Sequence, residues 1–185
     1  MILQYYNVRY NTIINLIIIL IIIIIIIRWA WIAFNQGATF GVSGKKWIMA
    51  IKITITSTLA SLAGGTLGIV YSIVTKQGKT DVMLCINGIL GGLASVMASC
   101  ASVTNLESIL IGAVGALLVI LASKLLIHLK YGILTVINSS SCSFRIDDPL
   151  GASAVHGVGG AWGMIAMGLF GEISHFHFLN FVCER

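Results

Sequence analysis

The strongest constraint on this chain is a series of long, almost uncharged apolar segments. They run approximately from Ile13 to Phe34, Trp47 to Thr75, Val82 to Val103, Ser108 to Leu129 and Pro149 to Gly171. An α-helix needs about 20 apolar residues to cross the hydrocarbon core of a bilayer. Only helices and closed barrels satisfy their backbone within lipid, and these segments are too long and too uniformly apolar for barrel strands. The sequence therefore predicts an all-α polytopic membrane protein with about five transmembrane helices.

Composition and charge agree with this class. The chain is 58% hydrophobic and 9% charged, whereas soluble domains carry about 25% charged residues. The net charge of +5 is small and dispersed, which disfavours nucleic acid as a partner and makes the lipid bilayer the relevant surroundings. The four cysteines show neither a C-x-x-C pair nor metal-ligand spacing. We therefore expect free thiols, no metal and no cofactor.

The basic residues are divided unevenly between the two sides of the predicted bundle. One side carries five of them: Lys76, Lys79, Lys124, Lys130 and Arg145. The other side carries Lys45 and Lys46, with Lys52 a turn into the next helix. Lysine and arginine accumulate on the cytoplasmic side of membrane proteins. The side of Lys76 and Lys130 is therefore predicted to be cytoplasmic.

Small residues recur at intervals of three or four in three of the segments. They are Gly64, Gly65, Gly68, Gly88, Gly91, Gly92, Gly112, Gly115 and Ala116. This spacing lets helix backbones approach closely, which is the main packing device in lipid. The pattern predicts a tightly packed helix bundle and carries no chemistry of its own.

The stretch DDPLGASAVHGVGGAWG places one histidine, His156, in the middle of an otherwise uncharged helix. Asp148 suits the N-cap and Pro149 the first helical position, so both are interpreted as structural residues of the helix start. Helix pitch then puts His156 about two turns in, ~10–12 Å from that start. Ionisable residues inside spans usually face the bundle interior or a conduit. A pore-lining histidine is favoured, and a neutral histidine hydrogen-bonded between helices is the alternative.

Three longer stretches resemble the ammonium transporter family, in its Amt branch. RIDDPLGASAVHGVGGAWGMIAMGLFGE resembles the family's DDP, VHG, Trp-Gly and GLF sequence. WIAFNQGATFGVSGKKW resembles its FN-x-G-S segment, and INGILGGLASVMASCA its INGxLAGL segment. The order matches, and the resemblance covers residues 31–129 and 145–171. The Rhesus branch fits less well because it lacks the DDP and Trp-Gly forms.

The resemblance implies a multi-pass plasma-membrane protein that assembles as a homotrimer, with a narrow hydrophobic pore in each subunit. Ammonium is recruited at the outer mouth and deprotonated, and ammonia passes a pair of pore histidines. His156 matches the second of that pair, Phe34 matches an aromatic gate residue, and Trp31 matches a pore tryptophan. An enzyme is not expected, because no nucleophile, second acid or metal cluster accompanies the histidine.

The departures from the family pattern indicate an incomplete subunit. The family has eleven spans and this chain resembles the sixth to the tenth, so the first pore histidine and much of the outer cation site are not expected in it. The serine of FN-x-G-S is Ala38 here, and Thr39 is not expected to replace its hydroxyl. A non-conducting membrane component that packs against other subunits is the alternative function.

The chain is predicted to divide into three parts. Residues 1–30 form an atypical isoleucine-rich segment, 31–171 a partial transporter domain, and 172–185 a C-terminal tail. Residues 131–144 separate HLK from RIDDP, pieces that are nearly joined in relatives. Our hypothesis is that 1–30 and 131–144 are translated non-coding sequence.

Overall fold

The computed structural model describes residues 2–39, 41, 43–78, 80–137 and 151–171, and within these ranges the chain is helical without strands. The helices are α1 (Ile2–Gly37), α2 (Lys45–Thr75), α3 (Val82–Val96), α4 (Asn105–Ile137) and α5 (Gly159–Phe170), the last continuing directly from a π-helical segment, Ser153–Val158. Among the described residues, three helical stretches are long and apolar enough to cross a membrane: Lys46–Thr75, Asn105–His128 and Ser153–Phe170. The predicted all-α polytopic membrane fold is confirmed.

Helices α2, α3 and α4 form the centre of the bundle, and their backbones meet at glycine and alanine. A Cβ atom on Gly64 would overlap the carbonyl oxygen of Gly88, and one on Gly88 would overlap the carbonyl oxygen of Gly64. Gly92 and Gly112 are similarly close to the carbonyl oxygen of Ala60. The predicted role of the small residues in close helix packing is therefore confirmed.

The third predicted span is wrong at its C-terminal end, because α3 stops at Val96 and the chain then forms turns as far as Val103. The amide of Ser99 donates to the carbonyl of Val96 at 3.0 Å, and the amide of Ser102 donates to the carbonyl of Ser99 at 2.9 Å. The two serine hydroxyls reach the same carbonyls, at 3.4 and 3.1 Å. Serine side chains compete with helical hydrogen bonding in this way, so the apolar run is longer than the helix.

A side chain from α2 compensates for the early end of α3. The hydroxyl of Thr56, which is fully buried, donates to the carbonyl of Cys100 at 2.8 Å. Non-helical backbone is tolerated at membrane depth only where protein satisfies it. Cys100 and Cys85 are free thiols, as predicted, and Cys142 and Cys183 lie outside the described residues.

The last helix begins later than the sequence predicted. Gly151 has a φ of +68° and is not helical, and the helix after it makes its first hydrogen bond from the Val155 amide to the Gly151 carbonyl, at 3.0 Å. A left-handed residue ends any helix continuing from before it, so the continuous helix predicted from Pro149 is wrong. His156 therefore lies about one turn, ~6 Å, into the helix rather than two. Asp148 and Pro149 lie outside the described residues.

The two stretches that depart from the family pattern, 1–30 and 131–144, are at least partly helical. The predicted first span lies within the longer α1, which begins at Ile2 and so runs through the isoleucine-rich segment. Helix α4 runs to Ile137, into the predicted insertion 131–144. The remainder of that insertion and the tail 172–185 lie outside the described residues, and the proposed domain division stays a prediction.

Candidate functional site

Two helices that are distant in sequence bring Trp31 and His156 together. The indole of Trp31 on α1 and the imidazole of His156 are stacked, with ring planes 3° apart and ring centroids 5.7 Å apart. This separation is typical of an offset parallel arrangement of aromatic rings. Two of the three side chains assigned to conduction are therefore in direct ring contact.

His156 is part of the π-helical segment Ser153–Val158. The amide of Gly159 donates to the carbonyl of Ala154, five residues back, which is the hydrogen bond that defines this geometry. Single π-helical turns are rare and occur often at functional sites. The extra residue in the turn changes the register between the side chains before and after it, and so sets where the imidazole points relative to α5.

One face of this helix is pressed against α3 and α4. Ala154 and Val155 are buried in a cluster with Ala94 of α3 and Val119 of α4. A Cβ atom at Gly159 would lie 3.3 Å from both the Ala94 Cβ and a Val119 methyl carbon. The close contact leaves the helix little freedom to rotate, so the direction of His156 is fixed by packing on its far side.

The other face of the helix is open, and His156 lies there. The imidazole is exposed. A Cβ atom at Gly157 or at Gly160 would meet no atom within 4 Å. Among residues 2–137 and 151–171, apart from the few not described, the imidazole therefore borders open space on one side and the Trp31 ring on another.

Trp31 is held by packing rather than by a hydrogen bond. Its ring packs against the buried cluster of Ala94 and Val119, next to Leu90 and Leu126. Its Nε1 atom is buried and has no hydrogen-bond partner among the described residues. A buried N–H group without a partner costs about 1–3 kcal/mol. The least expected polar feature of the site is this indole N–H, which has no acceptor among the described residues although it belongs to the ring stacked on His156.

Asn35 supports the site and was not singled out from the sequence. Its Nδ2 donates to the hydroxyl of Ser57 on α2 at 3.1 Å, and both side chains are buried. The next residue, Gln36, donates through Nε2 to the hydroxyl of Thr54. These bonds fix the end of α1, one turn after Trp31, against α2. The available signal was two adjacent polar residues in an apolar span, since buried amides need partners.

Phe34 and Thr39 also lie at the C-terminal end of α1, and among the described residues neither forms a hydrogen bond or ring contact with His156. Phe34 follows Trp31 by one turn, is 64% exposed, and makes no ring contact with His156 within the described part. The Thr39 hydroxyl lies 2.9 Å from the Gln36 carbonyl and 2.8 Å from the Gly41 carbonyl. Its proton is therefore used at the helix end, in keeping with the expectation that Thr39 does not replace the family's serine hydroxyl.

The described part of the chain offers no metal-ligand cluster beside this pair. Within residues 2–137 and 151–171, apart from the few not described, no group of three histidine, cysteine, aspartate or glutamate residues is placed to hold a metal ion. The chemistry offered by the described side chains is hydrogen bonding by one imidazole and aromatic contact by one indole.

The fold is that of a polytopic membrane protein, and among the described residues a histidine stacked against a tryptophan lies on an exposed helix face. The sequence model of the Ammonium Transporter Family matches residues 7–180. This chain belongs to the ammonium transporter family.

Named relatives agree with this assignment. A protein of Synechocystis that carries the name of an ammonium transporter is 35% identical over 142 residues, which are 76% of this chain and 29% of the relative. Ammonium transporter 1 member 1 of Solanum lycopersicum is 32% identical over 151 residues, 77% of this chain and 28% of its own length. Ammonium transporter Amt2 of Archaeoglobus fulgidus is 28% identical over 145 residues, 78% of this chain and 27% of its own length.

Solved structures show the same fold. The crystal structure of Saccharomyces cerevisiae Mep2 matches with a TM-score of 0.63 at 21% identity, covering 86% of this chain and 32% of that protein. Candida albicans Mep2 matches with a TM-score of 0.58 at 20% identity, covering 86% of this chain and 30% of that protein. The chain thus spans about three tenths of the length of these three relatives and two structures.

Proposed function

We propose that this chain forms one part of the wall of a pore through which ammonia crosses a membrane after the ammonium ion has lost a proton. Membership of the ammonium transporter family supports this. The observation that carries it is the stacked pair of Trp31 and His156 on a helix face that is otherwise open. We propose transport rather than catalysis, because the matched relatives carry the names of transporters.

The chemistry of the pair suits a small neutral amine. An ammonium ion stripped of water is very costly in an apolar passage, whereas ammonia needs only brief hydrogen bonds. A neutral imidazole can donate one hydrogen bond and accept another without becoming charged. His156, flanked by the open space beside Gly157 and Gly160, can offer such bonds to a molecule moving past it.

The stacking contact has a specific consequence for this role. The Trp31 ring is stacked against the imidazole in an offset arrangement, with the two planes nearly parallel. An aromatic neighbour of this kind restrains the ring plane and excludes water from the face that it contacts. The nitrogen atoms lie in the ring plane, so they remain free to bond along the passage while the ring stays fixed.

A closed pore needs a wall opposite His156. Since the chain spans only about three tenths of its relatives, we propose that the remaining wall comes from polypeptide corresponding to the rest of those proteins, within a homotrimer in the plasma membrane. A non-conducting membrane component is the competing proposal, and the exposure of His156 is the observation that favours it.

Uptake of methylammonium by cells that lack their own transporters tests both proposals. We expect no uptake with the chain alone, because its His156 face is open. A chimera of the tomato ammonium transporter 1 member 1, carrying residues 31–130 and 145–171 of this chain in place of its matching segment, is expected to restore uptake. His156→Ala in the chimera should lower uptake at least ~10-fold, or about 1.4 kcal/mol.

The matched control is Val158→Ala, which alters an exposed side chain of the same π-helical segment. We expect it to leave uptake within about twofold, below ~0.5 kcal/mol. A chimera that reaches the cell surface but never takes up methylammonium would favour the non-conducting component. Uptake unchanged by His156→Ala would rule out the role proposed for the histidine.

A further inference from the structure

Helix α1 carries a charged residue deep in the apolar layer, Arg28. It precedes the end of α1 at Gly37 by ~13.5 Å along the helix axis, which is close to half of the ~30 Å hydrocarbon core of a bilayer. Long basic side chains reach the headgroups from positions near a helix end, whereas an ionisable residue at mid-depth is paired or faces a water-filled passage. The position of Arg28 therefore calls for a partner.

Arg28 has no such partner among the residues that the structure describes. It takes part in no hydrogen bond or ion pair with them, and it is only partly exposed. Its guanidinium keeps its charge in proteins and carries five N–H donors in a fixed fork. Removing a charged group from water without a partner is very costly. The guanidinium thus has a charge and donors that the described residues leave unused.

Arg28 borders a small cavity between α1 and α3. The cavity has a volume of about 30 Å³, and besides Arg28 its lining is aliphatic: Ile27, Ile86, Ile89, Leu90 and Leu93. This volume holds about two water molecules, and each buried water needs about two to four polar partners. A lining with a single polar residue does not offer them. Water in this cavity therefore does not satisfy the guanidinium, and its acceptor has to come from a binding partner.

The face of α1 that includes Arg28 has the spacing through which helices pair. Its residues follow one another at alternating intervals of three and four: Ile18, Ile21, Ile25, Arg28 and Ile32. This alternation places them along one stripe of the helix, as in the contact line of two paired helices. The part before Arg28 is open among the described residues, since Ile18 is 48%, Ile21 51% and Ile25 50% exposed. We call this stripe the Arg28 face.

The acidic residues of the chain are not at the depth of Arg28. There are six of them: Asp81, Glu107, Asp147, Asp148, Glu172 and Glu184. Asp81 is the N-cap of α3, and Glu107 lies in the first turn of α4. The other four lie before or after the predicted span Pro149–Gly171. A second copy of the chain therefore does not bring a carboxylate to mid-depth, and the acid has to belong to a different polypeptide.

We propose that the Arg28 face and α3 bind a transmembrane helix of another polypeptide that carries an aspartate or glutamate near the middle of its span. The carboxylate accepts two parallel hydrogen bonds from the guanidinium, and aliphatic side chains of the partner pack along Ile18, Ile21 and Ile25. An anionic lipid does not fit, because its phosphate lies at headgroup level, nearly half a bilayer away. The assignment does not depend on the proposed function.

Binding of two synthetic transmembrane peptides to the full chain in phosphatidylcholine vesicles tests the proposal, with fluorescence energy transfer as the measurement. Both peptides are leucine helices of about 20 residues that differ at one central position, which is aspartate or leucine. We expect the aspartate peptide to bind at least ~10-fold more tightly, because close charge pairs at interfaces couple at least this strongly. Arg28→Leu should bind both peptides equally.

An exchange of the two charges shows whether the contact is direct. Arg28→Asp should prefer a leucine peptide with a central arginine over the aspartate peptide. The matched control is Lys124→Gln, which removes a positive charge from α4 at a lysine that contacts the Tyr71 hydroxyl at 3.1 Å. It should leave the preference for the aspartate peptide unchanged. Equal losses in Arg28→Leu and Lys124→Gln would overturn the proposal in favour of general charge attraction.

Three further outcomes would overturn the proposal. The parent chain could bind both peptides equally. Asp148→Asn could strengthen binding of the aspartate peptide, which would mean that the guanidinium is already held within the chain. Spliced messenger RNA could lack the codons of residues 1–30, in which case Arg28 is absent from the protein. Unchanged helicity of each variant in the same vesicles, measured by circular dichroism, separates lost binding from lost folding.

Discussion

The central bundle and the His156 helix use glycine in opposite ways. In α2 and α3, Gly64 and Gly88 leave room that the other helix's backbone fills completely. Next to His156, Gly157 and Gly160 leave room that none of the residues described in the structure fills. The same residue type therefore closes one region of the molecule and opens another. The spacing of glycines along the sequence is similar in the two regions. The difference is whether another helix lies against the glycine, as at Gly64 and Gly88, or not, as at Gly157 and Gly160 among the described residues.

The largest effect that would break this comparison is expected at Gly88. Gly88→Ala places a methyl group where the Gly64 carbonyl oxygen already lies, so α2 and α3 must separate. Overpacking of this kind costs about 1–3 kcal/mol or more, and we expect the upper end because the obstructing atoms belong to the backbone of α2. Thermal unfolding in detergent, followed by circular dichroism, measures it. A variant as stable as the parent chain would show that the two helices pack differently.

A second effect tests the polar side of the closed region. Thr56→Val removes the hydroxyl that serves the Cys100 carbonyl beyond the end of α3, leaving a buried acceptor unpaired at a cost of about 1–3 kcal/mol. Thr66→Val is the matched change, since the exposed Thr66 hydroxyl bonds only within its own helix. The same unfolding assay should show little loss for Thr66→Val. Similar losses for both threonines would mean that the turn after α3 does not depend on α2.

A third, smaller effect compares two tryptophans, one with a hydrogen-bonded indole and one without a partner among the described residues. The indole of Trp162 donates from Nε1 to the Ile111 carbonyl at 3.1 Å, whereas Nε1 of Trp31 is buried without a partner among the described residues. Trp162→Phe should therefore cost about 1 kcal/mol more than Trp31→Phe, the net contribution of one hydrogen bond. Denaturant titration of the two variants in detergent gives the difference directly. The opposite order would reveal a partner for Trp31.

The smallest effect is expected on the open face and has the opposite sign to the first. Gly160→Ala adds a methyl group where no atom lies within 4 Å, and alanine favours a helix interior by about 0.5–1 kcal/mol over glycine. The variant should be slightly more stable than the parent in the assay used for Gly88→Ala. A loss of stability would mean that this face is occupied, for instance by a second copy of the chain.

Much of the fold and part of the site could be predicted from residues alone. The apolar segments, the close packing of Gly64 and Gly88 and the family resemblance follow from local composition and spacing, and all three are confirmed. His156 stood out because an ionisable side chain in an apolar run is unusual wherever the run is placed. Its role, with those of Trp31 and Phe34, stays a proposal.

The helix ends could not be predicted, and the reason is physical. Hydropathy reports how much each side chain avoids water, and it does not change when a helix gives way to buried turns. The end of α3 at Val96 depends on serine hydroxyls and on Thr56 from another helix. The start after Gly151 depends on one backbone torsion angle, which a run of small residues does not specify.

Sequence by itself determined the solvent in which this protein folds, the approximate positions of its apolar helices, and which side chain was out of place in lipid. Tertiary structure alone decided that Trp31 lies flat against that side chain, that Asn35 fixes the tryptophan's helix to α2, and that one face of the histidine's helix is closed while the other is open. Burial in a bilayer is a property of each segment's own composition. A contact between rings from opposite ends of the chain exists only once the intervening helices have packed.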